Sequence, residues 1–420
     1  MTAPEQLKIS RPEDILGFIP HSLGYWPDAS LVAMTLHGKR LGATLRLDLP
    51  GPEVLASPAK YLRAVRRYLE ADKDADGTLL AVFTSNGGAL SPSRYDSLLA
   101  GLDSVLERAG MPVREAWYVG NDYWREAWCM DVSCCPLPGR PVQDIRDSAL
   151  NAEMVYRGSS IGPAPERRPS AVRPVPSLHQ AAVLEAQAAW APELDLRRRS
   201  RAQFRAVLDV WDALLAPRDG VPWLPEAERD GFLRASLMFP AWRDAILVMT
   251  VAGKAAAEAG ADQFGILDDA AQPDPVSPPV QWPDPDPGST RGIPAERSAS
   301  GCTSAGYADV LMGVVPAVPD WARLEALDRI LEQLVVLGGP AAAASLTIRG
   351  WIAWCRGRGS YAAAYLAEAL ETEPGYRLAE LLLELVGRGA ICGWAARKDA
   401  AWQKFGPDDA SAGTDPGGGR

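Results

Sequence analysis

Hydrophobic positions follow two rhythms along this chain, and the change between them comes near residue 170. Before it, short apolar runs alternate with turns. Residues 30–36 and 42–49 are joined across His37, Gly38, Lys39 and Arg40, which predicts a β-hairpin. Tyr61, Leu62, Val65, Tyr68 and Leu69 recur at helical spacing, so a helix is predicted over 58–70. Residues 78–84 are continuously apolar, as in a strand buried on both faces. Ser91-Pro92 reads as a helix start, followed by Tyr95, Leu98, Leu99, Leu102, Val105 and Leu106 on one face. Residues 115–119 form the next strand, Gly120, Asn121 and Asp122 a turn, and 123–129 an antiparallel return. The order ββαβαβ plus a hairpin predicts an α/β domain over 1–160, with a mixed sheet in three layers.

From residue 178 the apolar spacing becomes three and four, which predicts an all-α C-terminal half. Phe204, Val207, Leu208, Trp211, Leu214 and Leu215 make one stripe in a helical segment over 178–270. Residues 272–300 hold eight prolines and cannot pack a core, so 271–305 is expected to be a flexible insertion. A second helical segment over 306–405 opens with an amphipathic helix capped by Asp320. It contains one αα unit, Gly350, Ala362, Leu366, Ala369 and Pro374, whose spacing resembles a single tetratricopeptide repeat without a second copy. The Gly/Asp/Ala-rich tail, 406–420, is expected to be disordered.

Composition narrows the function classes. The net charge is −10, which disfavours binding to nucleic acid or to an anionic membrane surface. No apolar run is long enough for a spanning helix, and residues 1–10 lack the pattern of a secretory signal, so the expected compartment is the cytoplasm. There the six cysteines should be reduced thiols rather than a disulfide framework. With only three histidines, and no phosphate-binding or nucleophile-elbow fingerprint, no cofactor and no metal is assigned. Fourteen tryptophans is a high count that asks for an explanation.

Three groups of residues are candidates for chemistry. The segment around His21, Tyr25 and Trp26 reads as a tight Gly/Pro-rich loop whose rings and imidazole form a binding surface or pack on the sheet. Fold logic for open α/β sheets selects the carboxyl ends of two strands. That places Ser85, Asn86, Asn121 and Asp122 around a crevice, with Arg46 and Asp48 on one strand face as ligand contacts or an ion pair. Cys129, Cys134 and Cys135 lie within seven residues as C-x4-C-C, a spacing suited to a thiol switch or a soft metal and unlike paired zinc knuckles.

One family shows the same residues in the same order. Pro20, Leu23, Gly24, Tyr25, Pro27, Ser30, Leu31 and Val32, then Arg46, Asp48, Leu49 and Pro50, resemble the opening of the actinobacterial domain of unknown function 4192 family. The likeness continues through Trp128, Cys129, Cys134, Cys135, Pro136 and Gly139. It resumes at Arg243-Asp244 and at Gly350, Trp351, Trp354, Gly357, Pro374 and Tyr376. Pro138 stands where the family often carries an acidic residue, and the proline-rich segment looks inserted. The resemblance implies a lineage and no particular activity.

Together these features make a non-catalytic interaction or regulatory protein the first expectation, with a protein partner taken up by the helical half. A small-molecule binder or enzyme using the strand-end crevice is the second. A thiol switch or metal site at the cysteine cluster is the third.

Overall fold

The computed structural model describes residues 11–84, 94–165, 177–216, 226–268, 273–278 and 306–403. The chain forms two compact units, 1–169 and 170–420. The first is the α/β domain. Its elements are α1 (Pro12–Leu23), β1 (Ser30–His37), β2 (Arg40–Asp48), α2 (Pro52–Ala56), α3 (Ala59–Leu69), β3 (Gly77–Phe83) and α4 (Asp96–Glu107). They continue with β4 (Val113–Val119), β5 (Tyr123–Glu126), β6 (Arg140–Pro141), α5 (Gln143–Arg146) and α6 (Ala149–Tyr156).

The strands form one mixed sheet in the order β2-β1-β3-β4-β5-β6. Among the described strands β3 and β4 are the one parallel pair, and the chain between them passes through α4. β3 is buried along its whole length, as its unbroken apolar run requires. Alternation along the strands divides two cores. Leu31, Ala33, Leu80 and Val82 face Val65, Leu69, Leu98 and Leu102 of α3 and α4. Val32, Met34, Ala81 and Trp117 face Leu16 and Ile19 of α1 and Ile145 of α5. The three-layer arrangement follows from this alternation.

One element departs from the expected pattern. Residues up to Leu23 are helical rather than a loop. Pro12 opens α1 with Glu13 and Asp14 in its first turn, where acidic side chains suit the helix dipole. Gly24 closes it in a left-handed conformation (φ 87°), donating its N–H to the Pro20 carbonyl at 2.7 Å. Pro20 lies inside α1 and has no N–H to give the Leu16 carbonyl, so it reads as a breaker in sequence, yet the helix runs on to Leu23.

The second unit is helical. It comprises α7 (Leu178–Leu196), α8 (Arg201–Leu215), α9 (Ala227–Leu237), α10 (Pro240–Ala252), α11 (Lys254–Gln263), α12 (Tyr307–Leu311), α13 (Trp321–Val335), α14 (Gly339–Cys355), α15 (Gly359–Thr372) and α16 (Arg377–Gly387). Asp320 caps α13 through the Arg323 N–H, as expected. α14 is buried from Ala341 to Cys355 and is the unit's central helix. It pairs with α15 at Gly350, where a Cβ would stand 2.8 Å from Leu366 Cγ. The helices approach this closely only because the residue is glycine.

Three tryptophans act as rivets here. The indole N–H groups of Trp351, Trp354 and Trp394 donate to the carbonyls of Leu311, Ala390 and Pro316 at 2.7–2.8 Å. Each ring fills the core while its nitrogen pins a connecting segment. Arg243 joins Asp244 at 2.8 Å and the Tyr376 hydroxyl at 2.6 Å, which ties α10 to the start of α16. Residues 273–278, at the head of the proline-rich segment, are held by Gln203. Its buried side-chain amide exchanges two hydrogen bonds with the Val276 backbone, at 2.7 and 2.8 Å.

In the α/β unit, Asp72 accepts hydrogen bonds from the Thr35 hydroxyl, from His37 Nε2 at 2.9 Å and from the Ala43 N–H at 3.3 Å. Burial alone would raise this carboxyl, but the bonds from Thr35, His37 and Ala43 outweigh it and hold it below the usual range. A carboxylate that ionises more easily when folded stabilises the fold above its unfolded pKa of about 4, and that stability is lost as the pH falls through the folded value. Asp72→Ala should therefore cost about 1–3 kcal/mol in urea unfolding at neutral pH, because it leaves the polar groups of the hairpin unsatisfied. The gap from the native chain should narrow near about pH 3. An equal gap at both pH values would contradict this.

Candidate functional site

β4 and β5 place a cleft on the α1 side of the sheet. Glu115 and Trp117 alternate on one face of β4. Trp124 and Glu126 do the same on β5, with Glu126 paired across from Trp117. Together with Pro12, Arg125, Arg140 and the three cysteines, these residues line a cleft of about 330 Å³. Trp117 and Trp124 are almost fully buried, and their indole nitrogens find no acceptor among the described residues. They differ in this from the riveting tryptophans of the helical unit.

The cysteines reach the cleft through a tight turn. The Cys134 and Cys135 N–H groups donate to the Asp131 carbonyl at 3.3 and 2.8 Å, and the Asp131 carboxylate accepts from the Ser133 N–H and hydroxyl at 2.8 and 2.7 Å. This turn folds Cys134 back onto Cys129, with their Sγ atoms 3.1 Å apart; Cys134 Sγ lies 3.6 Å from Cys135 Sγ. All three sulfurs fall within 4.8 Å of one another. Two arginines fix the turn from outside. Arg125 donates to the Cys129 carbonyl at 3.0 Å, and Arg140 donates to the Cys134 carbonyl from Nε at 3.2 Å and Nη2 at 2.9 Å. Arg140 also reaches Glu13 of α1 at 3.0 Å and stacks over the Trp124 ring. Gly139 passes so close beneath that a Cβ would lie 2.7 Å from the Trp124 carbonyl, which only glycine permits.

Cys129 and Cys134 differ electrostatically. The Cys134 thiol donating toward Cys129, assisted by the backbone at Asp131, holds the Cys129 thiol below the ordinary thiol range. Cys134, placed between two other sulfurs, is pushed up to about 12. In the cleft wall, burial followed by the charge of Glu126 raises Glu115.

His21, Tyr25, Trp26, Arg46 and Asp48 make contacts within the fold. His21 lies on α1, fully buried, with Nδ1 2.9 Å from the Ser159 hydroxyl and Nε2 2.7 Å from Asn151 Oδ1. It is a core histidine bridging to α6, not a surface group. Tyr25 is buried, and Trp26 packs edge-on against Phe83 with Arg146 over its ring. Arg46 pairs with Asp48 at 2.6 Å and donates to the Ser30 hydroxyl at 2.8 Å. Asn121 and Asp122 form the exposed β4–β5 turn, at the opposite end of β4 from the thiols. Ser85 and Asn86 lie outside the described residues, as does the Ser91-Pro92 helix start. Sequence reasoning therefore found the three thiols but not Glu115, Trp117, Arg125, Glu126 and Arg140 around them. For Glu115, Trp117 and Glu126 the signal was the two-residue alternation on β4 and β5; Arg125 and Arg140 had none.

The family model described as "Domain of unknown function (DUF4192)" matches residues 12–261 and 315–390. The chain belongs to this family. No curated protein and no solved structure matches it. The DUF4192 match covers the cysteine turn and its two arginines. It breaks over 262–314, the stretch that includes the proline-rich segment.

The sulfur electrostatics have a direct readout. Native iodoacetamide labelling, followed by mass spectrometry, should modify Cys129 ahead of the more exposed Cys134. Replacing Cys134 with alanine should shift the pH dependence of Cys129 labelling upward, toward that of an ordinary thiol. Equal labelling of the two residues would contradict the assignment.

Proposed function

We propose that this DUF4192 protein is a non-catalytic regulatory protein whose state is set by thiol chemistry at the Cys129–Cys134 pair. The observation that carries this reading is the 3.1 Å separation of the two sulfurs on an accessible turn. A disulfide needs them at about 2.0 Å, so closure asks for a movement of about 1 Å within one loop. Two further observations favour regulation over catalysis. His21 is committed to Ser159 and Asn151, and Arg46 is committed to Asp48. A cytoplasmic setting, where thiols rest in the reduced form, would make oxidation an informative event.

The chemistry is that of a two-cysteine switch with a hydroperoxide as oxidant. Cys129 sulfur attacks the O–O bond, giving a sulfenic acid and releasing the alcohol or water. Cys134 sulfur then displaces the hydroxyl group, which leaves as water with the Cys134 proton. Two thiols lose two electrons and two protons, and one peroxide is reduced. Reduction by a small dithiol reverses the step.

Treating the reduced full chain with hydrogen peroxide should remove two titratable thiols and join the Cys129 and Cys134 peptides in a mass map. In Cys134→Ala the reaction should stop at a sulfenic acid that dimedone traps on Cys129. Oxidation that leaves both thiols free, or that pairs other cysteines first, would overturn the reading.

A further inference from the structure

A switch needs two sulfurs, and this turn gathers three. Cys135 is not required for the Cys129–Cys134 disulfide, yet its Sγ lies 3.6 Å from Cys134 Sγ and completes a triangle. Sulfurs held at about 2.3 Å around one tetrahedral ion stand roughly 3.8 Å apart, so this triangle is the size of a single coordination sphere. We propose that Cys129, Cys134 and Cys135 bind one monovalent copper ion through three thiolates.

The choice of ion follows from the ligands and the charge. A closed zinc site takes four ligands, usually cysteine or histidine. None of the three histidines belongs to the sulfur cluster: His21 is bonded to Ser159 and Asn151, His37 to Asp72, and His179 lies in the helical unit near Asp230. Three soft sulfurs without a nitrogen partner suit Cu(I), which accepts trigonal thiolate coordination. Three thiolates around Cu(I) carry a net charge of −2. Arg125 and Arg140, both in the cleft wall and bonded to the Cys129 and Cys134 carbonyls, place positive charge beside it, although Arg140 is shared with Glu13 and the wall also holds Glu115 and Glu126. The rings of Trp117 and Trp124 line the same cleft and give it an apolar wall. Copper held by all three sulfurs would keep the pair from closing into a disulfide.

The test is an anaerobic titration of the reduced full chain with Cu(I) against bicinchoninate as a competing chromophoric chelator. A parallel arm uses Zn(II) with a zinc-responsive dye. One Cu(I) per chain should be withdrawn from the chelator, with a new thiolate-to-metal band in the ultraviolet. Cys135→Ala should weaken binding by more than the roughly 10–100-fold that outer-shell changes cost, while still forming the Cys129–Cys134 disulfide in metal-free protein. An unchanged thermal melt of that variant shows that its fold is intact. No copper uptake, copper affinity unchanged in Cys135→Ala, or retention of Zn(II) in preference to Cu(I) would each overturn the proposal. None of these results bears on disulfide formation in the metal-free chain, so the two readings fail separately.

Discussion

The guanidinium of Arg140 is the junction on which the thiol site depends. From the short strand β6 it donates twice to the Cys134 carbonyl, meets Glu13 in the first turn of α1, and lies over the Trp124 ring. The fixed planar fork of arginine can serve these partners together, whereas the single ammonium of lysine cannot. The exposed cysteine turn, which lacks a regular ladder of its own, is thereby fastened to the sheet and to the helix packed on it. Arg125 secures the other end of the turn at Cys129. The Asp131 turn brings the sulfurs together, and these two side chains hold its backbone at Cys129 and Cys134.

Around that junction the α/β unit contributes shape and polarity. Alternation on β4 and β5 sends Trp117 and Trp124 to the α1 face, where their rings complete a core while their nitrogens stay unpaired among the described residues. In the helical unit Trp351, Trp354 and Trp394 close onto backbone carbonyls, while Trp242 is buried with its nitrogen unpaired among the described residues. An unsatisfied buried donor costs roughly 1–3 kcal/mol, so these indoles contribute through their rings rather than their nitrogens. Elsewhere the polar residues serve stability. Asp72 clasps the β1–β2 hairpin, and Arg243 locks α10 to Tyr376.

Much of this was legible in the residue pattern. The hairpin, the buried central strand, α3 and the α13 cap follow from local rules, because their apolar spacing has only one reading. The close packing at Gly350 was visible as a small-residue pattern. The helix before Gly24 was not, because Pro20 reads as a breaker although α1 runs on past it to Leu23. His21 shows the same limit. Its partners Ser159 and Asn151 lie more than a hundred residues away, and no local rule supplies them. The thiols themselves were visible as C-x4-C-C. Their geometry was not, since it depends on Arg140 reaching back to Cys134 and across to Glu13.

The most direct measurement is the rate at which peroxide closes the Cys129–Cys134 disulfide in Arg140→Met compared with the native chain, with the fold checked by thermal melting. If Arg140 positions the turn, losing it should slow closure by roughly ten- to a hundredfold, the scale expected when reacting atoms are displaced by about 1 Å. An unchanged rate in a folded variant would show that the turn holds its sulfurs together without the arginine, and would contradict the account.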